Sequence, residues 1–96
     1  MYIGVLQFSM AIPHAESLKD KRSVVRSLKD RMRRAHNVSI AEVDDLDTWN
    51  LATFGLVMAG NDVKYLNGAL DKIVDELDEW RDATLDDHQI EIVRPA

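Results

Sequence analysis

Two stretches of helical periodicity, set among short runs with strand-like alternation, limit this chain to very few folds. In the second stretch Val63, Leu66, Leu70, Ile73, Val74, Leu77 and Trp80 recur at spacings of three and four. They line one face of a helix that opens at Asn61 or Asp62 and runs to about Arg81. In the first, Leu18, Val24, Val25, Leu28, Met32 and Ala35 form an equivalent face. Ser17 opens that helix, with Asp20 three residues later as a short capping box. It is expected to run to about His36, with Asn37 as a left-handed stop.

The remaining runs are extended. Tyr2–Ile12 is rich in β-branched and aromatic residues, Gly4 marks a close approach, and Pro13 ends the run. "VSIAEV" (Val38–Val43) is a short strand, and "LATFGLVMAG" (Leu51–Gly60) is apolar enough to lie inside a sheet. "QIEIVR" (Gln89–Arg94) alternates as a last strand, while "DDLDTWN" and "DATLDDH" are polar connections. The order is βαββαβ. Right-handed crossovers then predict a ferredoxin-like α+β architecture: a four-stranded antiparallel sheet in order 4-1-3-2, with both helices on one face. Residues 1–96 suffice for one such domain with an unstapled core. The fold hosts many unrelated functions, so function must be read from surface chemistry.

That surface is electrically uneven. The chain has 12 Lys+Arg and 17 Asp+Glu, yet eight of the bases fall between Lys19 and Arg34 with only two acids, Asp20 and Asp30. This segment carries a net +6 and the rest of the chain a net −11. On a helical wheel Lys19, Arg22, Arg26, Lys29 and Arg33 form a stripe about 120° from the apolar face, clockwise when viewed from the N-terminus. Neighbours in that stripe repel by about 0.2–0.5 kcal/mol per contact, roughly 1 kcal/mol in all, partly relieved by Asp30. Asp71, Asp75, Asp78 and Asp82 form an acidic stripe on the same rotational side of the second helix. A right-handed first crossover turns both stripes outward, over opposite edges of the sheet. The basic stripe therefore marks Lys19, Arg22, Arg26, Lys29 and Arg33, with Lys21 and Arg34 assisting, as a candidate nucleic-acid contact. The competing reading is a solvated helix face.

"SLKDKRSVVRSLKDRMRRAHNVSIAEVD" resembles the hallmark of the YlxP-like family, an uncharacterised bacterial domain of unknown function. The "GVL" strand, the Trp that follows and the apolar strand after it extend the resemblance over about Met1–Trp80; the acidic loop and tail beyond Arg81 match less clearly. The resemblance implies the ferredoxin-like fold. It also implies a setting beside transcription-termination, translation-initiation and ribosome-maturation factors, whose genes commonly neighbour those of the family. It supplies no catalytic residue.

Other chemistry is thinly represented. With no Cys there is no disulfide, Cys-zinc site or thiol nucleophile. The apolar N-terminus lacks a basic n-region and is too short to span a bilayer, so no membrane association is expected and a cytoplasmic location is. Serine-hydrolase, Walker and dinucleotide motifs are absent, and His14, His36 and His88 lie in separate segments as surface or helix-end residues. Asp87–His88 has no nucleophile motif to accompany it. Few aromatics and no RRM-like pair or "GxxG" loop argue against reading single-stranded bases. "EVDDLD" offers oxygens but lacks the glycine and final glutamate of a calcium loop. Glu42 is expected to face water from an edge strand, the alternative being a pair with a base on the first helix. Trp49 is expected to cover one end of the core, the alternative being an exposed platform. Met10, Met32 and Met58 fit the core. The expectation is a non-enzymatic, cofactor-free accessory factor that docks structured RNA, such as rRNA or a ribosomal subunit. The alternative is a homo-oligomeric or small-ligand-binding regulatory module.

Overall fold

A computed structural model describes all 96 residues. The chain forms β1 (Tyr2–Ala11), α1 (Leu18–Ala35), β2 (Ser39–Asp44), β3 (Leu51–Gly60), α2 (Val63–Asp78) and β4 (Thr84–Val93). The strands make one sheet in the order β2-β3-β1-β4, which is 4-1-3-2 read from the other edge, and every pairing is antiparallel. This is the expected ferredoxin-like α+β arrangement.

Alternation decides which face of the sheet is covered. Leu6, Phe8 and Met10 of β1 point inward, as do Ala52, Phe54, Leu56 and Met58 of β3 and Ile40 of β2. They form one cluster with Val25, Leu28 and Met32 of α1 and Leu66, Leu70, Ile73 and Leu77 of α2, so both helices lie on the same face. Phe8 and Phe54 are directly paired across the central strands, and their rings stack at 4.9 Å between centroids. Gly4 and Gly60 are where α2 comes close: a Cβ would lie 2.9 Å from Leu70 Cδ1 at the first and 2.9 Å from Leu66 Cδ2 at the second. The close approach is of helix to sheet. The opposite sheet face is left open, and Val57 and Val43 remain exposed on that side.

The helix starts follow the capping residues. Ser17 Oγ accepts from the Asp20 amide at 3.2 Å, and Asp20 Oδ2 accepts from the Glu16 amide at 3.0 Å. Asp62 caps α2 by accepting from the Tyr65 amide at 3.2 Å. The stops differ from expectation. Asn37 is not left-handed; the only non-glycine residue at positive φ is Asp45, at 57°. The chain still reverses into β2, but it does so through His36, which is already extended, and Asn37, with the Val38 amide donating to the His36 carbonyl at 3.1 Å, so no left-handed residue is used. α2 ends at Asp78, three residues early, where Glu79 and Trp80 close a tighter turn onto Glu76 and Leu77.

β4 begins at Thr84 and takes in most of the segment expected to be a loop. Asp86, Asp87 and His88 are poor strand formers, but β1 offers its unpaired edge to them, and the polar side chains of an edge strand reach water. A register shift opposite Ser9/Met10 absorbs the mismatch.

Candidate nucleic-acid interface

Handedness places α1 over β2 and α2 over β4. Arg33 Nη2 donates to the Ile40 carbonyl of β2 at 3.0 Å, which fixes the basic flank on the β2 side of the domain. No ion pair joins Arg22, Arg26 or Arg33 to Asp71, Asp75 or Asp78. The two charged flanks therefore face away from each other. The inner seam between the helices is closed by other contacts. Arg31 lies 4.9 Å above the Trp80 ring, and His36 Nε2 is 2.8 Å from Glu76 Oε2.

The flank itself follows from helix geometry. Lys19, Arg22, Arg26, Lys29 and Arg33 recur every three or four residues along α1, so their side chains share one side over about 21 Å. Lys19, Arg22, Arg26 and Arg33 are exposed and Lys29 is half-buried. Arg33 is engaged with Ile40 and more loosely with Asp30, at 3.9 Å. The side chains of Lys19, Arg22, Arg26 and Lys29 have no ion-pair or hydrogen-bond partner in the fold, nor has Arg34, which sits further round the helix.

Lys21 does not belong to this surface. It is only 2% exposed and sits among the core residues of α1 beside Val25, Leu28 and Met32. Its Nζ donates to the main-chain carbonyls of Asp45 at 2.6 Å and Thr48 at 2.7 Å, and lies 2.8 Å from Glu42 Oε2. An ammonium has three donors, and here three acceptors surround it. Its assignment as an assisting phosphate contact is thus overturned: its charge is consumed inside the fold. Glu42 correspondingly does not face water. Its Oε2 is buried without an aligned hydrogen bond, and the Lys21 contact is an ion pair.

This clamp holds the β2–β3 connection. Thr53 Oγ1 donates to Asp45 Oδ2 at 2.7 Å, and the Ile12 amide donates to the Asn50 carbonyl at 2.9 Å, tying both ends of the loop to the sheet. Three of the four "EVDDLD" carboxylates are engaged locally, Glu42 on Lys21, Asp44 on the Asp45 amide and Asp45 on Thr53, while Asp47 has no such partner. Trp49 is 52% exposed and lies outside the core cluster, so it does not cover the core. Trp80 has that role, half-buried against the cluster. A helical wheel could have exposed the error for Lys21, because that position falls in the middle of the apolar face.

A family model described as "Protein of unknown function (DUF503)" matches residues 3–90. The chain belongs to the DUF503 family. Among curated proteins, this DUF503 domain is similar to the uncharacterised protein YlxP of Bacillus subtilis (strain 168). The two are 30% identical over 78 residues, 81% of this chain and 85% of the relative. The match takes in α1 and its flank as well as the clamp formed by Lys21 and Glu42. No helix of this DUF503 protein is long and apolar enough to cross a membrane.

Proposed function

We propose that this protein is a non-enzymatic, cytoplasmic accessory factor that docks structured RNA, such as rRNA or a ribosomal subunit, through the outer flank of α1. The observation that supports this is a set of unspent cations. In a chain of net charge −5, Lys19, Arg22, Arg26 and Lys29 find no partner on one exposed helix flank, with Arg33 and Arg34 continuing it. The four strands contain no Lys or Arg at all, so the sheet face offers no electrostatic contact for a polyanion. Docking through this flank rests on phosphates and carries little sequence preference. The family resemblance adds a setting among translation and ribosome-maturation factors.

The test is a pull-down from lysate with and without RNase, followed by co-sedimentation of purified protein with ribosomal particles across a salt series. RNase-sensitive capture that weakens steeply with salt supports the reading. Capture of no RNA or ribosomal particle at low salt refutes it and leaves a solvated helix face.

A second reading, self-association, is favoured by a separate observation. Val57 and Val43 are exposed on the open sheet face, and Leu46 and Trp49 are exposed on the clamped loop. Apolar pairing through the open sheet face would be insensitive to salt, which separates the two readings in the same experiment.

A further inference from the structure

The seam between the helices widens at one end into a cleft of about 590 Å³, bounded by the end of α1, the first half of α2 and the end of β3. That volume lies within the range of small-molecule sites. It stands apart from the basic flank of α1, and its chemistry comes mainly from α2. That helix has only two cations, Lys64 and Lys72, and both line the cleft. Neither forms an ion pair, although Asp75 and Glu76 stand three and four residues beyond Lys72, where helix geometry favours pairing. Glu76 is engaged by His36 across the seam.

Midway between the two lysines on the same side of the helix is Gly68. A glycine inside a helix is less favourable than alanine by about 1 kcal/mol. Packing does not require it here: a Cβ at Gly68 would have no atom within 4 Å. The bare position leaves room above the helix for two long lysine stems to converge on one anion. Tyr65 rises beside it, 68% exposed, one turn from the N-terminus of α2, where the helix dipole also favours negative charge. The other half of the cleft is apolar, with Met58 and Ala69 among its lining residues.

We propose that this cleft binds a free nucleoside 5′-phosphate, with the phosphates held over Gly68 by Lys64 and Lys72. Two point charges converging from either side match a polyvalent, tetrahedral group better than a single carboxylate. The apolar half accepts a flat ring, and Tyr65, four residues before Ala69 on the same side of α2, lines that half. The cleft's size suits one nucleotide and not a chain.

The experiment titrates adenosine 5′-diphosphate into ¹⁵N-labelled full-length protein and follows amide shifts, with adenosine and inorganic pyrophosphate as comparison probes. Saturable shifts at residues 58, 64–72 and 36–37 are expected, with adenosine and pyrophosphate each binding at least about tenfold more weakly. Lys64→Ala and Lys72→Ala should each weaken the diphosphate by about tenfold. Gly68→Leu provides a test of opposite signs: it should raise the thermal midpoint, because a helix-interior glycine is removed, while abolishing binding by filling the space. Gly68→Ala, a smaller change, should retain binding within a few-fold and controls for folding. The proposal is overturned if adenosine binds as tightly as its diphosphate, if pyrophosphate matches the nucleotide, or if Gly68→Leu folds and still binds. Shifts confined to the outer flank of α1 would also overturn it. Arg26→Glu with Lys29→Glu should leave the titration unchanged, so failure here is distinct from failure of RNA docking.

Discussion

Replacing Lys21 by Met tests the buried clamp directly. Methionine keeps an unbranched, apolar stem in the core but removes Nζ. The Asp45 and Thr48 carbonyls then lose donors at 2.6 and 2.7 Å, each contributing about 1 kcal/mol. Glu42 loses its counter-ion at 2.8 Å while its side chain is only 16% exposed. Breaking a buried pair from one side costs about 3–5 kcal/mol, because the remaining charge is left uncompensated. Because Glu42 keeps some contact with water the pair is taken at the low end of that range, and with the two carbonyl bonds a total loss of about 5 kcal/mol is expected. For a domain of this size that lowers the thermal midpoint by roughly 20 °C.

The design separates charge from packing when Glu42→Gln is made alone and in combination. Glu42→Gln by itself leaves Lys21 bonded to both carbonyls and should cost about 1–2 kcal/mol. In the double variant no buried charge remains, so its loss should be about 2 kcal/mol smaller than the sum of the two single losses. Urea unfolding followed by circular dichroism on the four proteins gives all of these values. A loss below about 1 kcal/mol for Lys21→Met, or single losses that add to within about 0.5 kcal/mol, would show that the ammonium does not hold the loop.

Other outcomes follow from the same geometry. Arg26→Glu with Lys29→Glu should change stability by no more than about 1 kcal/mol, because neither side chain lies on the buried face, yet lower the salt slope of RNA binding by about two; wild-type co-sedimentation would remove the support for docking. Gly60→Ala should destabilise by about 1–3 kcal/mol in urea unfolding, because its Cβ would meet the fully buried Leu66 at 2.9 Å. Arg31→Ala should cost about 0.5–1 kcal/mol through its contact with the Trp80 ring, and the same substitution in a Trp80→Leu background should cost less. Trp49→Phe should remove the acrylamide-quenchable part of the tryptophan fluorescence and leave the half-buried Trp80 signal.

The architecture was legible because each element carries its own period and the crossover rule leaves few ways to assemble them. The outward turn of the basic flank was legible for the same reason, since it depends only on helix phase and handedness. Boundaries were less so where tertiary pairing overrides local preference. Asp86, Asp87 and His88 give no strand signal, yet β1 has a free edge and draws them into β4. Asn37 has the chemistry of a left-handed helix stop, but the turn from α1 into β2 is closed by the Val38 amide on the His36 carbonyl with His36 extended, and Asn37 keeps a negative φ.

Lys21 and Trp49 depart from the expectation for their residue types for connected physical reasons. Residue type alone places a lysine at the surface and a tryptophan against the core. Phase on the helix places Lys21 between Leu28 and Met32 on the apolar face, and phase decides the outcome. A buried ammonium persists only where acceptors surround it, and in so small a core those acceptors must come from a loop. The β2–β3 connection supplies them by turning two carbonyls inward, with Asp45 in the left-handed region and its carboxylate anchored by Thr53. One of those carbonyls belongs to Thr48, the residue preceding Trp49, whose own side chain stands half exposed. The buried cation and the exposed aromatic are thus two ends of one constraint. Removing the first should release the second, so Lys21→Met should increase the mobility of Trp49, read as a fall in its fluorescence anisotropy in a Trp80→Phe background. Unchanged anisotropy in the folded variant would mean that the Thr53 and Asn50 contacts hold the loop without Lys21.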